Sequence, residues 1–217
     1  MKLLFDLDGT LTDAGPGITL CIQHALRSLG RPVPPAAELT WCVGPPLQVS
    51  FGELLGNSAP HLMHEAIALY REHFVEVGMF ENAVYPGVRE GLERLSEAGH
   101  QLCIATSKPH VYARQILEYF EVLRLFAAVY GSELSGERGD KASLIRHLLE
   151  KEGRDGDPCM VGDRRHDVEG AHANGLDAVG VLWGYGGRAE LDEAGADVLV
   201  ESMPQLVEWA SRRPARG

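Results

Sequence analysis

The chain reads as an α/β protein, a doubly wound and mostly parallel sheet with an all-helical segment inserted after the first strand. Three observations predict this. A short apolar run, Leu3-Leu4-Phe5 with Leu7, opens the chain as a buried strand. Residues from about 15 to 81 carry helical periodicity and no strand signal. From Pro86 onward, strand-like and helix-like segments alternate, as in repeated strand-helix units feeding a parallel sheet. The core is therefore expected in residues 1–14 and 82–217, with residues 15–81 forming a helical cap over the strand ends.

The elements follow in order. Past Asp13, Ile18, Cys21, Ile22, Ala25, Leu26 and Leu29 recur at spacings of three and four, predicting a helix that Gly30 and Pro32 end. Shorter segments around Pro35–Val43 and Leu47–Leu55 flank Gly44-Pro45-Pro46. A second helical run, roughly His61 to Val77, carries Leu62, Ala66, Leu69, Tyr70 and Phe74 on one stripe. The alternating part predicts a helix over Gly87–Ala98, a strand over Leu102–Thr106, a helix over Val111–Phe120 and a strand over Ala127–Gly131. It continues with a helix over Lys141–Glu150, a strand over Cys159–Gly162, a helix over Val168–Asn174 closed by Gly175, and a strand over Ala178–Trp183. A short strand near Asp197–Val200 and a helix around Gln205–Arg212 complete it, and the tail Arg212–Gly217 is expected to fray. The run Trp183-Gly184-Tyr185-Gly186-Gly187 lacks the G-x-G-x-x-G spacing of a nucleotide cradle and predicts a turn bordering the site.

Composition narrows the function. With 217 residues and 45% hydrophobic content the chain can bury a substantial core. A formal charge of -11 offers no basic stripe for nucleic acid, so a small anionic substrate needs local cations. Lysine is scarce: Lys2, Lys108, Lys141 and Lys151 are all there is, and Lys108 and Lys141 fall at motif positions. Cys21, Cys42, Cys103 and Cys159 are scattered, without a C-x-x-C pair, and three lie in apolar segments as core thiols. Asp6 and Asp8 interrupt the first apolar run, so no signal peptide is expected, nor a membrane span, and the cytoplasm is the expected compartment. Oligomeric state is left open between monomer and dimer.

Four segments carry chemistry. In Asp6-Leu7-Asp8-Gly9-Thr10-Leu11-Thr12-Asp13, two carboxylates one residue apart stand at the carboxyl end of a buried strand, on the same side. Such a pair repels by several kcal/mol in a low dielectric and is tolerated where a cation or shared proton compensates. Thr106-Ser107-Lys108-Pro109 sets a hydroxyl at a strand end before a helix, where free N–H groups favour an anion. Lys141 opens a helix, an electrostatically unfavourable place for a cation and therefore one that favours a functional role. Gly162-Asp163-Arg164-Arg165-His166-Asp167 ends another strand with two acids four residues apart. Carboxylate and carbonyl oxygens without nearby Cys or His ligands suit Mg²⁺, and none of the nine histidines, His166 included, has ligand-like spacing.

Taken together, these motifs resemble the signature of the haloacid dehalogenase superfamily of phosphohydrolases over essentially the whole chain. The resemblance is closest to its small-cap branch, which includes phosphoglycolate phosphatases and 5′-nucleotidase-like enzymes. It implies Asp6 as the nucleophile that becomes a transient aspartyl phosphate, and Asp8 as the acid that protonates the leaving oxygen and then activates water. Members that cleave carbon–halogen bonds lack the second Asp, so Asp8 argues for phosphoryl transfer. It further implies that Thr106 holds the transferring phosphoryl group and that Lys141 neutralises its oxygens. Mg²⁺ is expected on the side chains of Asp6 and Asp163 and the carbonyl of Asp8, with Asp167 orienting a metal-bound water or Lys141. Gly9, Thr10, Ser107, Lys108 and Arg164 complete the expected substrate-binding set, with Lys108 and Arg164 as charge partners for a carboxylate or second phosphate.

The expected partner is a small phosphorylated metabolite, with neither nucleic acid nor membrane. A phosphomutase on the same core, returning the phosphoryl group to a sugar phosphate, is the alternative enzyme. A non-catalytic binding protein is disfavoured because every catalytic side chain of the pattern is present. A signalling receiver domain has no helical insertion after its first strand.

Overall fold

In the computed structural model, residues 1–56 and 60–213 are described. The fraying expected at the tail falls outside them from residue 214 on.

A six-stranded parallel sheet forms the centre. It comprises β1 (Lys2–Phe5), β4 (Gln101–Pro109), β5 (Ala128–Ser132), β6 (Pro158–Gly162), β7 (Asp177–Val181) and β8 (Val198–Val200), in the order β5-β4-β1-β6-β7-β8. The first strand is central, and from Leu3 to Phe5 its side chains are apolar on both faces. Leu3 and Phe5 join Leu102, Ile104, Cys159, Val161 and Val179 in one core. Leu4 joins Cys103, Ala105, Met160 and Ala178 in the other. Period-two alternation thus divides one strand between two cores, and helices cover both. Truncating the fully buried Leu4 to Ala should cost about 2–5 kcal/mol.

Helices α4 (Val88–Glu97), α5 (His110–Tyr119) and α9 (Met203–Ser211) pack on the Phe5 side, whereas α6 (Lys141–Glu152) and α7 (Arg165–His172) pack on the Leu4 side. The structure adds α8 (Gly187–Ala194), which the sequence reading left inside a turn and the stretch after it. Its eight residues open with the glycines of that turn and bury only Leu191, so they carry almost no periodic signal. Helix α7 begins three residues earlier than Val168, because Asp167 Oδ2 accepts the Arg164 N–H at 3.1 Å and caps the first turn.

The inserted segment contains α1 (Gly15–Ser28), a 3₁₀ stretch over Ala36–Cys42, α2 (Leu47–Leu54) and α3 (Pro60–His73), which runs into a π turn over Phe74–Gly78. In α1, Pro16 stands in the first turn, where no intrahelical donor is needed, and Ile18, Cys21, Ile22, Ala25 and Leu26 are buried. The segment is bracketed by β2 (Thr12–Asp13) and β3 (Ala83–Val84), which pair antiparallel with Thr12 opposite Val84 and Asp13 opposite Ala83. Two-residue strands are too short for a periodic signature, so this pairing was not foreseen.

Candidate active site

The parallel strands all deliver their carboxyl ends to one edge, and the expected side chains meet there. Asp6 follows β1 directly and its N–H donates to Val161 O at 3.0 Å, fixing the strand end against β6. Asp163 follows β6, and Asp167 stands in the first turn of α7. Carboxylate oxygens of Asp6, Asp163 and Asp167 all lie within 4.8 Å of one another, and all three residues are buried.

One ammonium answers two of these three carboxylates. Lys141 Nζ donates to Asp6 Oδ1 at 2.9 Å and to Ala105 O at 2.9 Å, and lies 2.7 Å from Asp167 Oδ1. Burial opposes its charge, but Asp167 and Asp6 outweigh that and hold the ammonium above the ordinary lysine range. The helix that presents it is capped by Asp140, whose Oδ1 accepts the Ser143 N–H at 2.8 Å. A strong N-cap thus offsets the unfavourable cation at the helix start.

Asp163 is fully enclosed. Thr10 Oγ1 donates to its Oδ1 at 3.2 Å, and the Tyr185 N–H donates to its Oδ2 at 2.7 Å. Burial, reinforced by Asp167 and Asp6, pushes this carboxyl well above the usual carboxylate range. Gly9, with φ of +90°, leaves the room Asp163 needs, since a Cβ there would stand 2.3 Å from Asp163 Oδ2. The glycine-rich loop after β7 is therefore a brace: Tyr185 binds Asp163 through its backbone, and Trp183 Nε1 donates to Thr10 O at 3.0 Å. The Tyr185 hydroxyl also hydrogen-bonds Asp13 and accepts the Gly15 N–H at 3.0 Å, joining the loop to the start of the insert. Sequence reasoning placed this loop beside the site but not these bonds, because a backbone N–H has no residue signature.

Three clustered buried carboxylates, of which one ammonium pairs with two, are an arrangement that a further cation would relieve, and the donor set is all oxygen. Burial raises the Asp8 carboxyl too, with Lys108 pulling it only part of the way back, and Asp8 Oδ1 is buried without a hydrogen-bond partner. The residues therefore fit a hard divalent cation such as Mg²⁺. Asp167 lies in the same cluster as Asp6 and Asp163, and its bonds to Lys141 and to the Arg164 N–H keep it turned toward both.

Asp8 borders a cleft between the sheet edge and the helical insert, lined also by Ser107, Lys108, Tyr70, Arg71 and Pro45. Lys108 Nζ lies 2.9 Å from Asp8 Oδ2 and 4.4 Å from the centre of the Phe74 ring. Ser107 offers its carbonyl to Ser132 Oγ at 2.8 Å. Thr106 is buried at the site, and its Oγ1 accepts the Lys108 N–H at 3.3 Å. It stands three residues before the N-cap of α5. β4 continues past it through a register shift to Pro109, which is the N-cap, so an irregular strand end separates the hydroxyl from the helix.

Arg164 departs from its expected role. Its Nε donates to Glu190 Oε1 at 2.9 Å, and its Nη1 donates to the carbonyls of Trp41 and Val43 in the insert. It joins the core to the insert instead of bordering the cleft as a free cation. The four cysteines are free and buried, and burial pushes their thiols up to about 11 for Cys103 and about 12 for Cys21, Cys42 and Cys159. No helix among the described residues is long and apolar enough to cross a membrane.

Comparison with known proteins gives the family. The chain is 48% identical over 191 residues to a 5′-nucleotidase of Pseudomonas aeruginosa, covering 88% of this chain and 86% of that protein. It is 39% identical over 202 residues to the tyrosine-protein kinase PtkA of Mycobacterium tuberculosis, covering 92% of this chain and 68% of that protein. The crystal structure of a predicted phosphatase from Clostridium acetobutylicum superposes with a TM-score of 0.93 at 40% identity, covering 97% of this chain and 98% of that one. The family profile described as haloacid dehalogenase-like hydrolase matches residues 3–181, and the chain belongs to that family.

Proposed function

We propose that this protein is a Mg²⁺-dependent phosphatase that hydrolyses a small phosphomonoester through an aspartyl phosphate on Asp6. What carries the reading is the meeting of Asp6, Lys141, Asp163 and Asp167 in one buried cluster beside a cleft bordered by Asp8. The nucleotidase name of the 48% identical relative supports a phosphatase and puts nucleoside monophosphates, with phosphoglycolate, among the substrates to test.

An Asp6 carboxylate oxygen attacks phosphorus in line, and the bond from phosphorus to the ester oxygen breaks. Asp8, protonated, gives its proton to the departing alkoxide and becomes a carboxylate. Water then attacks the acyl phosphate and passes a proton back to Asp8, the phosphorus–Asp6 bond breaks, and phosphate leaves. Lys141 and Thr106 hold the phosphoryl oxygens as negative charge shifts onto them. Asp6, Asp163 and the Asp8 carbonyl would hold Mg²⁺, which supplies charge neutralisation for a phosphate approaching this acidic cluster.

The test is phosphate release from nucleoside monophosphates, phosphoglycolate, sugar phosphates and pyrophosphate, with and without Mg²⁺. Mg²⁺-dependent release that is lost by a factor of about 10⁴ in Asp6→Asn, with the unfolding curve retained, is the expected result. Full activity in Asp6→Asn, or isomerised sugar phosphate in place of free phosphate, overturns it.

A further inference from the structure

We propose that Arg71 determines specificity, binding a second anionic group, a carboxylate or a second phosphate, on the leaving-group side of the substrate. The inference rests on the phosphatase reading and adds the substrate class to it.

Arg71 lies near the end of α3 and lines the same cleft as Asp8 and Lys108. Its Nε is buried and has no hydrogen-bond partner among the described residues. A guanidinium has five donors in a fixed fork and no means of losing its charge, so a buried donor left unpaired is costly unless a ligand takes it. Its neighbours in the cleft do not serve. Asp8 is paired with Lys108, and Glu133, the other carboxylate bordering the cleft, is paired with Arg138 and lies 3.6 Å from His110 Nδ1. Arg164 is engaged with Glu190 and the insert.

Position gives the ligand its chemistry. Ile67, Arg71 and Phe74 fall on one helical stripe at i, i+4 and i+7, with Ile67 and Phe74 buried. Arg71 thus interrupts an apolar face, beside a floor of Tyr70, Phe74 and Tyr112. The phosphoryl end of a substrate belongs at the acid cluster in the core. The remainder extends into the cleft, toward a planar cation that matches carboxylate or phosphate in a bidentate pair. In a chain of charge -11, this cation makes that end of the cleft receptive to an anion.

The experiment measures binding of three two-carbon phosphomonoester probes with Mg²⁺ present: phosphoglycolate, 1,2-ethanediol bisphosphate and uncharged-tail ethyl phosphate. Calorimetry on Asp6→Asn, which holds substrate without turnover, gives the affinities, and turnover by the wild-type enzyme is followed in parallel. The expected result is a preference of roughly ten-fold or more for an anionic-tail probe over ethyl phosphate. Adding Arg71→Gln removes the preference, Arg71→Lys keeps part of it, and whichever anionic probe is preferred identifies carboxylate or phosphate as the tail. Equal affinities for all three probes, or a preference that survives Arg71→Gln in a variant with a normal unfolding curve, overturns the proposal. Absence of wild-type turnover would count against the phosphatase reading alone, because the binding comparison decides the role of Arg71 separately.

Discussion

Lys141 Nζ reaches Asp6 Oδ1 at 2.9 Å across 135 residues of sequence, and this contact joins the first strand to the helix that follows β5. The same ammonium lies 2.7 Å from Asp167. Lys141→Met would leave two buried carboxylates without their cation, which should cost about 3–5 kcal/mol in metal-free protein. Urea unfolding is the measurement, and added Mg²⁺ should recover part of the loss while phosphatase activity stays lost.

Arg164→Met should act on the seating of the insert. It removes the pair with Glu190 and the bonds to the Trp41 and Val43 carbonyls, a loss of about 2 kcal/mol. KM should rise by the same factor for phosphoglycolate and ethyl phosphate, because the insert is loosened for both. A loss confined to the anionic substrate would return Arg164 to the substrate-binding role read from the sequence.

Gly9→Ala should misplace Asp163. The added Cβ would meet Asp163 Oδ2 at 2.3 Å, and φ of +90° is strained for alanine. A shift of about 1 Å in such a group lowers turnover by roughly 10²-fold. Steady-state kinetics across a Mg²⁺ titration checks this, with a higher Mg²⁺ requirement expected alongside the lower rate.

Asp140→Ala tests the cap under Lys141. Bonds from the Ser143 hydroxyl and N–H hold the Asp140 carboxyl below its ordinary value of 3.8. A lowered folded value means that its stabilisation is present above the unfolded pKa and is lost as pH falls through the folded one. The variant should be less stable than wild type by about 1 kcal/mol at pH 7. The difference should shrink below pH 3.8, which paired unfolding curves at the two pH values would show.

The legibility of this protein in its sequence follows from how each feature is encoded. The strand-end acids, Lys141 and the alternating strands and helices are written as residue types at fixed spacings, and they emerge at one edge of the sheet. Other features are written in the backbone: the brace from the Tyr185 N–H, the strand pair of Thr12 and Asp13 with Val84 and Ala83, and the extension of β4 past Thr106. These have no side-chain code. Arg71 did carry a signal, a cation at i+4 from Ile67 and three before Phe74 on an apolar stripe, but beside Tyr70 it reads as the solvated edge of a core helix. Arg164 carried the opposite one: a cation in an acidic motif, whose partners Glu190, Trp41 and Val43 lie far away in sequence.

The two-residue ladder of β2 and β3 makes the chain's departure into the insert and its return neighbours, with Asp13 facing Ala83. Topologically, the roughly seventy residues between them are one long excursion from a single point on the core. A transplant therefore needs only two splice sites, both beside this ladder, and leaves every strand of the parallel sheet in register. The clustered acids and Lys141 stay with the recipient, while Arg71, Tyr70 and Phe74 travel with the graft. The acid cluster and one wall of the cleft are in this sense separately inheritable parts of one chain.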